Sequence, residues 1–141
     1  LIRYCLGFAF TPNFQNVVLL TKARPDWQAG KLNGVGGKVE DDETHGSAMN
    51  REWFEETGVP LTSPWTRVVK MHDSEWVVDV FTTHILNEAA LQAVHNTKER
   101  DEPVSIHRVN NLPSHSLDNL HWLISMCIHP PQGYNIQNYD T

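Results

Sequence analysis

The chain has 141 residues, about 40% of them apolar and 20% charged, so one globular domain with its own buried core is expected. Its net charge of −6, with the eight histidines neutral, speaks against a broad face for DNA or RNA backbones. It does not exclude small phosphorylated ligands, because bound metal ions reverse the local sign.

No apolar run reaches membrane-spanning length, and the two cysteines, Cys5 and Cys127, form no CxxC pair. Reduced core thiols in a cytoplasmic protein are the expectation. The histidines show no HxH or HxxxH spacing and read as surface or packing residues.

In chain order, "LIRYCLGFAF" alternates, with Ile2, Tyr4, Leu6, Phe8 and Phe10 on one face. That is a strand rather than a signal peptide. After the turn cluster "TPNFQN", "VVLLTK" is a second strand, and the two predict a hairpin. "ARPDWQAGKLNGVGG" reads as a long loop, and "GGKVE" as a short strand leading out of it. Helical character begins after Thr44, a predicted N-cap, and runs to Gly58, which fits a left-handed C-terminal position. "TRVVKMH" and "EWVVDVFTTHI" are strand-like, "NEAALQAVHNT" is a weak helix or an ordered loop, and "PVSIHRV" is a late strand. "SLDNLHWLISMCI" predicts a helix with Leu117, Leu120, Ile124 and Cys127 on one stripe. Residues 130–141 lack periodicity and are expected to form a mobile tail. Strands, helix, strands, helix is the order of an α+β or α/β sandwich, with a mixed sheet between helices and a single domain over 1–141.

The first helix raises a chemical question. A residue advances about 100° around a helix, so Glu52, Glu55 and Glu56 fall within an arc of roughly 100°. They repel one another there, and they lie near the C-terminal end, where the helix dipole disfavours anions. One reading is a solvated acidic face in which Arg51 pairs with Glu55 at i, i+4. The other is a site for a divalent cation such as Mg²⁺, which takes carboxylate oxygens and relieves both penalties. Gly36 and Gly37 favour the second, since they let the backbone bend and bring a carbonyl close to a ligand.

Gly37, Glu43, Arg51, Glu52, Trp53, Glu55, Glu56, Gly58 and Val59 fit the pattern G-x5-E-x7-R-E-U-x-E-E-x-G-U, where U is bulky and apolar. At average composition this arises by chance roughly once in 10⁹ starting positions, so it outweighs the solvated-face reading. The stretch resembles the Nudix box of the MutT-like hydrolases, with one mild departure, Trp53, where a smaller aliphatic residue is usual. The resemblance implies an α/β/α sandwich and an enzyme that cleaves a nucleoside diphosphate linked to a further group, using Mg²⁺ or Mn²⁺. It implies that Glu52, Glu55, Glu56 and the Gly36 carbonyl are metal ligands, with Glu52 also a candidate base. Glu43 and Arg51 would orient the loop and helix. Lys38 would meet phosphate or be an exposed strand lysine. A further acid from beyond the box matches Glu102 best and Asp101 next, although either also reads as a loop carboxylate.

"GKLNGVGGKVE" resembles the corresponding segment of enzymes that destroy oxidised purine nucleoside triphosphates, such as 8-oxo-dGTP. By that resemblance Asn33 contacts the base, and Asp118 and Asn119 supply a second polar contact. Otherwise Asn33 serves a turn before Gly34, and Asn119 is an exposed helix residue. The expected reaction is hydrolysis of a (d)NTP to the monophosphate and pyrophosphate by a monomer or homodimer, with no membrane or polymeric nucleic acid as partner. The alternatives are a nucleotide sugar, a dinucleoside polyphosphate or capped RNA as substrate, or a Nudix-fold module that binds a nucleotide without cleaving it.

Overall fold

A computed structural model describes residues 1–61, 63–85, 88–95 and 102–130. The expected tail beyond 130 and the alternative acid Asp101 lie outside the described residues. Strands β1 (Ile2–Phe10), β2 (Asn16–Thr21), β3 (Leu32–Asn33), β4 (Val35–Lys38), β5 (Thr66–His72), β6 (Trp76–His84) and β7 (Val104–Arg108) are joined by helices α1 (His45–Thr57), α2 (Glu88–His95) and α3 (Leu120–Ile128). Among the described residues no helix is long and apolar enough to cross a membrane.

The strands form one mixed sheet in the order β3-β2-β1-β6-β5, with β4 added beside β1 and β7 beside β2. β1 is the hub. It runs parallel to β6 from Ile2↔Trp76 to Phe10↔His84, and antiparallel to β4 from Tyr4↔Lys38 to Gly7↔Val35. The predicted hairpin is short: β1 meets β2 at Phe10↔Val17, after which β2 pairs with β7 from Asn16↔Arg108 to Leu20↔Val104. Part of the predicted long loop is therefore sheet, because β3 pairs with β2 and β4 fills the edge of β1 that β2 leaves open.

Alternation along the strands separates two apolar layers. Phe8, Phe10, Val17, Leu19 and Val80 pack with Leu120, Leu123, Ile124 and Cys127 of α3. On the other face Ala9, Val18, Leu20 and Val35 pack with Trp53 of α1 and Val94 of α2, and Cys5 and Phe81 with Ala48 and Met49. This is the expected α/β/α sandwich. The face predicted for β1 is buried only towards its C-terminal end, since Ile2 and Tyr4 are exposed.

α1 has the predicted ends. Thr44 Oγ1 accepts from the Ser47 N–H at 3.1 Å, and Gly58 closes the helix at φ +71°, its N–H donating to the Phe54 carbonyl at 2.8 Å. Trp53 is 1% exposed and packs edge-to-face on Trp65 at 5.8 Å, so the departure from a smaller residue is absorbed as core. α3 begins at Leu120, later than predicted. The backbone of Leu32 bonds the His115 carbonyl and the Leu117 N–H, so 115–117 pairs beside β3 instead of winding into helix.

Candidate functional site

α1 lays its acidic face along β4. A Cβ on Gly37 would stand 2.5–2.8 Å from the Glu52 carboxylate, so a side chain there would displace that group. A Cβ on Gly36 would strike the Cys5 carbonyl on β1. The glycines thus let the strand and helix close on each other.

Arg51 organises the acids. Its Nε and Nη2 donate to Glu43 Oε2 and Oε1 at 2.7 and 2.8 Å, a two-pronged pair. Nη2 also donates to the Lys38 carbonyl at 3.0 Å, and Nη1 to Glu52 at 2.8 Å and Glu55 at 3.3 Å. Glu43 further accepts from the Glu40 N–H at 2.9 Å. Arg51 first and that N–H second pull the Glu43 pKa down to about 2, and Glu43 in turn raises that of Arg51. One guanidinium ties the loop, β4 and helix together. The i, i+4 pairing of the solvated-face reading exists, but it is the longest of these contacts.

Glu56 is the exception. Its Oε2 is buried without a hydrogen-bond partner, and burial, followed by the negative charge of Glu52, pushes its pKa up to about 9. Across from it, Glu102 accepts from the Ala23 N–H at 2.8 Å and meets Lys22 Nζ at 3.1 Å. Burial raises the Glu102 pKa, but the Ala23 N–H and the Lys22 charge outweigh it, and the net shift is downward. Lys22 and Glu102 both act on the charge of Glu56, so the fold brings Glu52, Glu56, Glu102 and Lys22 to one place. Lys22, at the end of β2, is the member that sequence reasoning missed, since no spacing rule ties it to the helix.

An orphaned buried carboxylate oxygen next to a second carboxylate fits a hard cation with oxygen ligands. Glu52, Glu55, Glu56 and the Gly36 carbonyl have the chemistry of such a donor set. Among the described residues no three acidic, histidine or cysteine side chains are already drawn into a closed metal cluster. Arg51 holds Glu52 and Glu55, and Glu55 is half exposed.

The residues expected to read the base are more open. Asn33 Oδ1 accepts from the Gly34 N–H at 2.8 Å, the contact of a turn residue. Asp118 and Asn119 are exposed, and Asn119 occupies the N-cap position of α3 without a capping side-chain bond. The Leu32↔Ser116 bridge nevertheless sets their segment beside the strand that carries Asn33. Lys38 is exposed.

Comparison with known proteins bears on this arrangement. The family model described as NUDIX domain matches residues 6–124. No curated protein sequence matches the chain significantly. Among solved structures, one from work on MutT of Aliivibrio salmonicida and Vibrio cholerae has a TM-score of 0.62 at 18% identity, covering 89% of this chain and 98% of that one. A MutT NUDIX hydrolase from Burkholderia pseudomallei has a TM-score of 0.62 at 21% identity, covering 87% and 96%. Shewanella oneidensis NrtR reaches 0.69 at 15% identity, with 89% of this chain matched to 61% of that one. At these identities the structural likeness is one of fold.

Proposed function

The chain belongs to the Nudix family, whose model it matches over residues 6–124, and from that premise we propose that it is a divalent-metal-dependent nucleoside triphosphate pyrophosphohydrolase releasing a monophosphate and pyrophosphate. The observation that carries the proposal is the meeting of Glu52, Glu56, whose Oε2 has no hydrogen-bond partner, and Glu102 at the acidic face of α1.

Glu52, Glu55, Glu56 and the Gly36 carbonyl would hold Mg²⁺ or Mn²⁺. When bound, the metal would acidify the attacking water and offset charge on the phosphate oxygens. Arg51, itself held by Glu43, bonds Glu52 and Glu55 and fixes their placement, as outer-shell groups do at metal sites. Glu102, held ionised by Ala23 and Lys22, is able to accept the proton of the attacking water on a carboxylate oxygen, and Glu52 is the other candidate for that step. Lys22 and Lys38 would meet phosphate oxygens.

For the base we favour an oxidised purine. Asn33 and the Asp118–Asn119 pair lie on adjacent segments and offer amide and carboxylate groups that suit a purine edge.

A panel of (d)NTPs, oxidised purine triphosphates, nucleotide sugars and dinucleoside polyphosphates, assayed with Mg²⁺ for released phosphate or pyrophosphate, tests the reading. Turnover of triphosphates to monophosphate and pyrophosphate is expected. Rapid turnover of a nucleotide sugar or dinucleoside polyphosphate with none of any triphosphate would overturn it.

A further inference from the structure

Away from the glutamates, β6 carries a fully buried carboxylate, Asp79. Its Oδ2 lies 2.7 Å from Nε2 of His45, the first residue of α1. Its Oδ1 faces Arg67 of β5 at 3.4 Å. Lys70 is its register partner on that same strand. A carboxylate taken wholly out of water is costly unless charged partners reach it, so this contact resists being broken.

Its location gives it a further meaning. Gly37, Cys5 and Asp79 are register partners across β4, β1 and β6, and so form one row under α1. Two strand spacings separate Gly37 from Asp79, about 10 Å. Along α1, His45 and Glu52 are seven residues apart, which is about 10.5 Å of rise and about 20° short of two full turns. Both therefore point to the same face, and the helix crosses the row with His45 over Asp79 and Glu52 over Gly37. Midway between them the Met49 methyl rests against Gly7 on β1.

We propose that His45 and Asp79 are positioning residues that set where α1 sits along this row, and through it the placement of Glu52 and Glu56 for the cation; this rests on the metal reading of that face. Mg²⁺ demands near-octahedral oxygens at about 2.0–2.1 Å, so a displacement of α1 much smaller than its rise of about 1.5 Å per residue is enough to disturb the site.

The test is Mn²⁺ binding to the full chain by electron paramagnetic resonance, with turnover and melting measured in parallel. His45→Ala, at the partly exposed end of the pair, should still fold. Its Mn²⁺ affinity should fall roughly 10-fold, with kcat falling and the KM for nucleotide unchanged. His45→Lys, which keeps a nitrogen donor over Asp79, should recover part of the loss. His45→Ala combined with Asp79→Asn should be no worse than the more damaging single change. A lower melting temperature with Mn²⁺ affinity and kcat as in the wild type would make the pair merely structural and overturn the proposal. Losses that multiply in the double variant would also overturn it. Wild-type protein that binds Mn²⁺ but cleaves no nucleotide would instead refute the proposed function and leave the positioning question to the binding data.

Discussion

Glu56→Gln should make the metal-free protein more stable while abolishing its activity. Burial and Glu52 raise the folded pKa of Glu56 from its ordinary 4.5 to about 9. Between those values the folded chain keeps a proton that the unfolded chain releases. The associated stability is present below about pH 4.5 and is lost as pH rises towards 9, at about 1.4 kcal/mol per pH unit. At about pH 7 the loss is on the order of 3 kcal/mol, and an uncharged amide of the same shape avoids it. In chelator, Glu56→Gln should thus melt about 10 °C above wild type near neutrality and equal it near pH 4. Excess Mg²⁺ should reverse the order, because only wild type gains from binding. Melts across pH, with chelator and with Mg²⁺, together with turnover, measure all of this. Parallel pH profiles for wild type and variant in chelator would refute the reasoning, as would an active Glu56→Gln enzyme that responds to metal.

Other consequences follow from the same geometry. Gly37→Ala should lower kcat about 10–100-fold with little loss of melting temperature, since its Cβ displaces the Glu52 carboxylate; unchanged kinetics would separate that contact from function. Arg51→Lys keeps the charge but loses the two-pronged bond to Glu43, so metal affinity should drop about 10–100-fold, read from the Mg²⁺ dependence of turnover. The Glu43 pKa is depressed to about 2, so its ion pair stabilises the fold above its ordinary 4.5 and is lost as pH falls towards 2; Glu43→Gln should flatten that acid limb in melts. Trp53→Leu opens the core against Trp65 and should cost about 2–3 kcal/mol in urea denaturation.

Some of these features are legible in the chain alone. Thr44 and Gly58 marked the ends of α1 because capping and a left-handed terminus are local requirements. The acidic face of α1 followed from helix periodicity alone, and the spacing from Gly37 to Val59 pointed to the family. Where the sequence reading slipped, a distant partner had taken the backbone. β3 lay hidden in a glycine-rich stretch because its pairing depends on β2, whereas the strand expected at "GGKVE" is β4 shifted to Val35–Lys38, and α3 starts late because Leu32 holds 115–117.

The sequence by itself determined the chemistry of one turn of helix, because residues three and four apart share a face wherever that helix is placed. Only the tertiary structure decided what surrounds it. It left the Glu56 Oε2 buried without a hydrogen-bond partner, brought Lys22 and Glu102 near it from two other segments, and set Asp79 beneath His45. Burial and long-range pairing depend on how strands far apart in the chain line up, and no local spacing records that.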